Sequence, residues 1–346
     1  MSDPITPAIW FLAIRCGSGA DVFTKNLAKG LRNRGLRTEI TWLPHRAEYA
    51  PWTVAVPKPP EWANIAHINT WLPGRFFPTE IPLVATMHHC VHDRAVRPYK
   101  SWAQIIYHCT WVKRVEKNVL QRAIRTVAVS EYTAQRTLET YGIPGITVIH
   151  NGIGINGVFQ APLHRKIHRP FRLLYIGNWL SRKGVDLLGP IMQALGPAFE
   201  LRYTIGKSAT SRSYRLPPNT RNLGGPKTTA SMVEIYRDAD ALLLPSRLEG
   251  FGLVALEAQA CGLPVIATRG SALPEVIEDG VTGILCAQDD VQAFAAAARR
   301  LSEDPALCRD MQRAARSRVE RYFGSEIMVG RYIEVYHEAL RSRSFS

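Results

Sequence analysis

The sequence predicts an α/β protein of two tandem units, each a doubly wound parallel sheet with helices on both faces. Three observations predict it. Short apolar runs alternate with amphipathic stretches along the chain. The alternation stops at a polar, basic, Pro-containing segment, Gln160 to Pro170, and then starts again. A length of 346 residues is enough for two domains that each bury a core.

In the first unit, taken as residues 1–160, strands are expected at about 9–14, 38–42, 65–68, 83–86 and 126–130, and helices at about 21–34, 102–122 and 131–141. The second unit, taken as 161–324, opens with a strand at 171–176, a turn at Gly177 and a helix after Lys183. Further strands are expected within 199–206, 239–246, 263–269 and 282–287. A final helix from about 325 to 339 is rich in apolar positions (Met328, Tyr332, Val335, Tyr336, Leu340) and needs a surface to cover, for which the first unit is the candidate.

Hydrophobic residues make up 46% of the chain and charged ones 21%, the balance of a globular protein rather than a disordered one. No stretch approaches the roughly 20 apolar residues needed to span a bilayer. Ile9 to Ile14 lacks a basic segment before it and reads as a first strand, not a signal peptide. The expectation is a cytoplasmic protein. Its six cysteines lie far apart, without CxxC or Cys/His ligand spacing, and are expected to be free thiols.

A net charge of +14 attracts polyanions, whether nucleic acid, anionic lipid or phosphorylated substrate. Residues 1–160 hold 18 Lys and Arg against 10 Asp and Glu, many of the basic residues in Phe23 to Arg37 and Trp111 to Arg125, where they share helices with apolar residues. Two readings stand: a solvated basic face, or an amphipathic surface resting on anionic headgroups.

The chemistry concentrates in Ser246 to Val265, SRLEGFGLVALEAQACGLPV, where a Gly-Phe-Gly turn follows an apolar strand. In open parallel sheets, ligands bind beyond the carboxyl ends of strands, where a strand-to-helix loop meets the positive end of a helix. Glycines let the backbone approach a ligand closely. Eight helical steps would put Glu249 and Glu257 about 12 Å apart, far beyond the roughly 5 Å of a retaining glycosidase pair. Such glutamates suit the two ends of one polyol ligand with a diphosphate between them.

The segment PSRLEGFGLVALEAQACGLPVIAT closely resembles the signature of the family 4 retaining glycosyltransferases, whose architecture of two Rossmann-like domains is called GT-B. GSGADVFTKNLAKGLRNRG, VATMHH, AVSEYTAQRTLETYGIPGITVIHNGI and LLYIGNWLSRKGVDLL extend the likeness over nearly the whole chain. The resemblance implies an N-terminal acceptor-binding domain, a C-terminal nucleotide-sugar domain and a donor site in the cleft between them. It implies catalytic roles for His88, Arg182, Lys183 and Glu249. Glu249 would hold hydroxyls of the transferred sugar, Glu257 those of the ribose, and Arg182 with Lys183 would neutralise the diphosphate. Gly250, Phe251, Gly252 and Leu253 would contact sugar or phosphate. Ser18 and Gly19 would line the donor from the first domain, and Gly177, Asn178 and Gly206 from the second. Asn178 departs from the pattern, since many members have Arg there; Arg182 and Lys183 would supply that charge. The family needs no metal and no cofactor, the nucleotide sugar being a substrate.

His89 and His92 compete with His88 for the histidine role, and His88 reads alternatively as a core histidine. Asp238 and Asp240 imitate the metal-binding DxD of other glycosyltransferases, but their place before a buried strand makes them structural. Gly17-Ser18-Gly19 imitates a dinucleotide-binding turn, yet Val22 stands where the third glycine belongs, which argues against an NAD-dependent oxidoreductase. No nucleic-acid-binding signature accompanies the charge. The reading is therefore a hexosyltransferase of cell-surface polysaccharide or lipopolysaccharide biosynthesis, using UDP-glucose or GDP-mannose, with a glycan or lipid-linked acceptor and peripheral attachment to an anionic membrane. A catalytically idle nucleotide-sugar-binding subunit is the alternative.

Overall fold

The computed structural model describes residues 5–155, 157–162, 166–205 and 214–343. The chain divides into two compact units: residues up to Gly152 together with those from Ser325 on, and Ile153–Gly324. The division falls at 152/153, where the sequence reading placed it at 160/161.

Unit 1 runs β1 (Ile9–Ile14), α1 (Gly19–Asn33), β2 (Thr38–Leu43), β3 (Ile65–Asn69), β4 (Leu83–Met87), α2 (Trp102–Tyr107), α3 (Lys113–Arg122), β5 (Arg125–Ala128), α4 (Glu131–Tyr141) and β6 (Thr147–Val148). Its strands form one parallel sheet in the order β2-β1-β3-β4-β5-β6. Side chains alternate across the sheet. Ile9 and Phe11 pack with Phe23, Leu27 and Leu31 of α1 on one face. Trp10, Leu12 and Ile14 pack with Ala66, Ile68, Leu83 and Ala85 on the other. The single helix expected over 102–122 is α2 and α3 joined by a π-helical turn, His108–Val112.

Unit 2 runs β7 (Phe171–Tyr175), α5 (Val185–Leu195), β8 (Phe199–Tyr203), β9 (Thr220–Asn222), α6 (Thr229–Arg237), β10 (Ala241–Leu244), α7 (Leu253–Ala260), β11 (Val265–Thr268), α8 (Leu273–Val276), β12 (Gly283–Cys286), α9 (Val291–Glu303) and α10 (Pro305–Tyr322). Its parallel sheet is ordered β12-β11-β10-β7-β8-β9. From β7 the chain winds one way to β9 and from β10 the other way to β12. The β7/β10 boundary is therefore a topological switch point, where the loops leaving adjacent strands diverge and open a crevice.

Helix α11 (Ser325–Arg343) belongs to unit 1. Met328, Val329, Tyr332, Val335, Tyr336 and Ala339 complete the core that contains Ile9, Phe11 and Leu27. A buried polar chain fixes its position: His67 Nδ1 lies 2.6 Å from the Tyr336 hydroxyl, His67 Nε2 2.8 Å from Thr86 Oγ1, and Thr86 Oγ1 3.1 Å from the Tyr332 hydroxyl. Burial pushes the His67 imidazole down to about 3, so it is neutral at physiological pH and both ring nitrogens need partners.

Candidate functional site

The unit 2 site is made by the loops after β7 and β10. Gly184 ends the first loop at φ +69°, and a Cβ built there would stand 2.0 Å from the Pro245 carbonyl oxygen, so only glycine permits this approach. The two loops are then tied by Arg247. Its N–H donates to the Arg182 carbonyl at 3.0 Å, and its guanidinium donates to the Ser181 carbonyl. The same guanidinium grips Asp186 through two bonds of 2.7 Å and Asp289 through one of 2.6 Å. The planar five-donor fork of arginine is what allows these contacts at once.

Within this frame Lys183 Nζ meets Glu249 Oε1 at 2.6 Å, and both side chains are largely buried. Burial opposes ionisation of each. For Glu249 the Lys183 ammonium outweighs that burial, with Arg182 adding to it, and holds the carboxyl below its ordinary value. The pair is thus a carboxylate and an ammonium already stripped of most of their water. The Glu249 N–H donates to Ser271 Oγ at 3.0 Å, and Ser271 adopts φ 51°, an uncommon value for a residue with a side chain. Gly252 turns the chain at φ +100° into α7, and a Cβ there would press on Leu273 at 3.0 Å. Phe251 is buried edge-on against Phe323 and anchors the loop, and Leu253 is the first residue of α7.

Glu257 sits in the second turn of α7 and accepts a 2.7 Å bond from the buried Tyr236 hydroxyl. Burial pushes its carboxyl up to about 7, against the opposing effect of Tyr236. Gly177 follows β7 beside the Tyr175 hydroxyl, which donates to the Asn178 carbonyl at 3.2 Å; the Asn178 side chain is exposed. Gly206 lies outside the described residues.

In unit 1, Ser18 and Gly19 are exposed where the β1 loop enters α1, at that sheet's own switch point. Asp21 accepts from the Cys16 and Gly17 N–H groups at 3.1 and 2.8 Å and shapes the loop. His88 follows β4, partly buried, with Nε2 2.9 Å from Asn69 Oδ1 and its ring edge-on to Phe23. Burial lowers its imidazole to about 4, so at neutral pH it acts as a neutral hydrogen-bonding group. His92 instead faces the buried Glu116 at 3.3 Å, and the ring of His89 lies by Trp71. Asp238 and Asp240 are structural: Asp240 accepts the Arg172 N–H at 2.8 Å, and Asp238 pairs with Arg172 and Arg202.

The Glycosyl transferases group 1 family model matches residues 162–318, and the Glycosyltransferase Family 4 model matches 59–156. A glycogen synthase of Mycobacterium tuberculosis is 32% identical over 90% of this chain and 73% of its own. The chain belongs to glycosyltransferase family 4. Another relative of this family 4 enzyme, D-inositol 3-phosphate glycosyltransferase of Streptomyces bingchenggensis, is 41% identical over 82% of this chain and 68% of its own. Among solved structures, sucrose-phosphate synthase from Thermosynechococcus elongatus superposes with TM-score 0.77 at 20% identity, covering 97% of this chain and 100% of that one. The glycosyltransferase WaaG gives 0.69 at 16%, covering 95% and 99%. At these identities the structures establish the GT-B fold.

Arg247, Tyr236, Ser271 and Asn69 were not singled out from the sequence. Arg247 lies two residues before Glu249 and was within reach. Tyr236 and Asn69 are 21 and 19 residues from the side chains they meet, and only the fold brings them there.

Proposed function

We propose that the chain is a retaining glycosyltransferase that moves a hexose from a nucleoside-diphosphate sugar to a hydroxyl of a glycan or lipid-linked acceptor. The observation that carries this reading is the 2.6 Å Lys183–Glu249 pair at the switch point of unit 2, with Glu257 on α7, the helix that follows the Glu249 loop. Glu249 accepts from hydroxyls of the transferred sugar and Glu257 from those of the ribose. Arg182 and Lys183 take up the charge that grows on the diphosphate as its bond to the anomeric carbon breaks. These cations do the work of a metal at the diphosphate, and added Mg²⁺ or Mn²⁺ is expected to leave the rate unchanged. With no carboxylate assigned to attack the anomeric carbon, the acceptor oxygen attacks from the face the diphosphate leaves. A diphosphate oxygen takes the acceptor's proton, and the configuration is kept.

UDP-glucose is the first donor choice and GDP-mannose the second. The fold neighbour HepE of Anabaena has been solved with UDP and with UDP-glucose, which supports the first. WaaG, titled as involved in lipopolysaccharide biosynthesis, supports an acceptor of cell-surface polysaccharide or lipopolysaccharide type. Among the described residues no helix is long and apolar enough to cross a membrane. The apolar stripes of α1 and α3 are buried, so their solvent faces are mostly basic and polar, with Val22 the one large apolar side chain exposed on them. Peripheral attachment would therefore use Trp102 and Ile106 on α2, 78% and 61% exposed, with Arg97, Lys113 and Arg114 beside them in the chain. Flotation with anionic vesicles at low salt, lost in Trp102→Ser/Ile106→Ser, tests this part.

The donor assignment is tested by thermal shifts with a panel of nucleotides and nucleotide sugars on the native chain and Glu257→Ala. One diphosphonucleotide class is expected to raise Tm in the first and not the second. NMR of the product should show the donor's anomeric configuration, and Lys183→Ala should lower kcat about 100- to 1000-fold. Tm shifts with NAD(H) alone would overturn the reading. Donor binding without transfer to any acceptor would favour an idle subunit.

A further inference from the structure

Unit 1 carries a cluster of side chains that sugar transfer does not use. Cys16 follows β1, while His45 and Glu48 bracket a 3-10 turn after β2, the strand paired with β1. A thiol, an imidazole and a carboxylate thus converge where two neighbouring strands end. Cys16 Sγ is 3.9 Å from Glu48 Oε2, His45 Nε2 is 3.6 Å from the same oxygen, and one ligand atom from each residue lies within 4.8 Å of the others. Tetrahedral zinc, with bonds of about 2.0–2.3 Å, separates its ligand atoms by about 3.3–3.6 Å. Small rotations reach that spacing, and the His45 side chain, 61% exposed, has room to make them.

Glu48 is held as an outer shell would hold a metal-binding carboxylate. The Tyr107 hydroxyl donates to Oε1 at 3.1 Å, and Trp111 Nε1 donates to the Glu48 carbonyl at 2.7 Å. Both donors come from the end of α2 and its π-helical turn, a helical irregularity that recurs at functional sites. With Oε1 engaged by Tyr107, Oε2 faces the thiol and the imidazole. Asp21, bonded to the Cys16 and Gly17 N–H groups, adds a second acidic group, while the guanidinium of Arg15 stands over Trp42.

We propose that Cys16, His45 and Glu48 bind a thiophilic divalent cation of the zinc class, with water in the fourth position. Cys16 binds as thiolate and gives its proton to solvent. The bound ion ties the loop carrying Ser18 and Gly19 to the turn after β2.

The test is titration of the chelator-treated full chain with Zn²⁺ alone and with Co²⁺ alone. One ion per chain is expected, with a near-ultraviolet thiolate-to-Co²⁺ charge-transfer band. Cys16→Ser removes the band and His45→Ala weakens binding, while Cys109→Ser, at the other exposed thiol, leaves both unchanged. Tyr107→Phe, which removes the hydroxyl that holds Glu48 Oε1, lowers affinity about 10- to 100-fold. Cys16 is exposed, and metal-free melting curves of Cys16→Ser check that the variant folds. Absence of a bound ion, or a band that survives Cys16→Ser, overturns the proposal.

Discussion

Gly184 and Pro245 meet so closely that the α-carbon of one leaves no room for a β-carbon beneath the carbonyl of the other. Gly184→Ala therefore meets a backbone oxygen, which no rotamer can move aside, at a φ that costs an alanine about 1–2 kcal/mol. The variant is expected to lose more than about 2 kcal/mol of unit 2 stability. Urea unfolding of the two proteins measures it, and an unchanged midpoint would show that the two loops can separate freely.

Arg247 joins the loops that carry Lys183 and Glu249. Arg247→Lys keeps the charge and loses the two-pronged grip on Asp186. The expected result is a 10- to 100-fold fall in kcat/KM, roughly the effect of a 1 Å misplacement of reacting groups. Asp186→Asn should give a similar defect and the double variant little more, because both changes break one contact. Full additivity would mean that the two residues act separately.

With Glu257 in the proposed role of ribose acceptor, donor binding is expected to depend on pH. Its carboxyl stands at about 7 in the fold against an ordinary 4.5, so between those values the folded state holds a proton the unfolded chain has released. Ligand-free stability therefore falls as pH rises through that window. Donor affinity moves the opposite way, since the ionised carboxylate is the stronger acceptor for ribose hydroxyls. Calorimetry should show UDP affinity climbing from pH 6 to 8, with proton release on binding, and a flat profile in Glu257→Gln.

Tyr336→Phe removes the hydroxyl that meets His67 Nδ1 and leaves a buried ring nitrogen without its partner. A loss of about 1–3 kcal/mol is expected in unit 1. UDP affinity should be unchanged, which separates a core defect from a site defect. Scanning calorimetry with and without UDP reads both.

Where helix and strand periods ran for several residues, the sequence was a reliable guide to the fold. β1 and β10 are unbroken apolar runs because both faces of a parallel strand are covered. β6 and β9, at the edges of their sheets, are two and three residues long and too short to show a period. The π-helical turn within 102–122 left no mark either, because its side chains keep a helical pattern. Glu249 and Glu257 were legible because a glycine turn and a fixed spacing carry them. The Lys183–Glu249 contact spans 66 residues and was not, since it depends on β7 and β10 being neighbours.

Helix α11 lies after the whole of unit 2 in the chain and yet fills the core of unit 1. A ribosome makes β1 and α1 before α11, so the face that Ile9, Phe11, Phe23 and Leu27 share with α11 lacks that cover until residues beyond 324 have been synthesised. Unit 2, continuous from 153 to 324, has all of its sequence before then. The unit translated first is thus the last to be completed. Throughout elongation its nascent form exposes an apolar face that calls for a chaperone's protection.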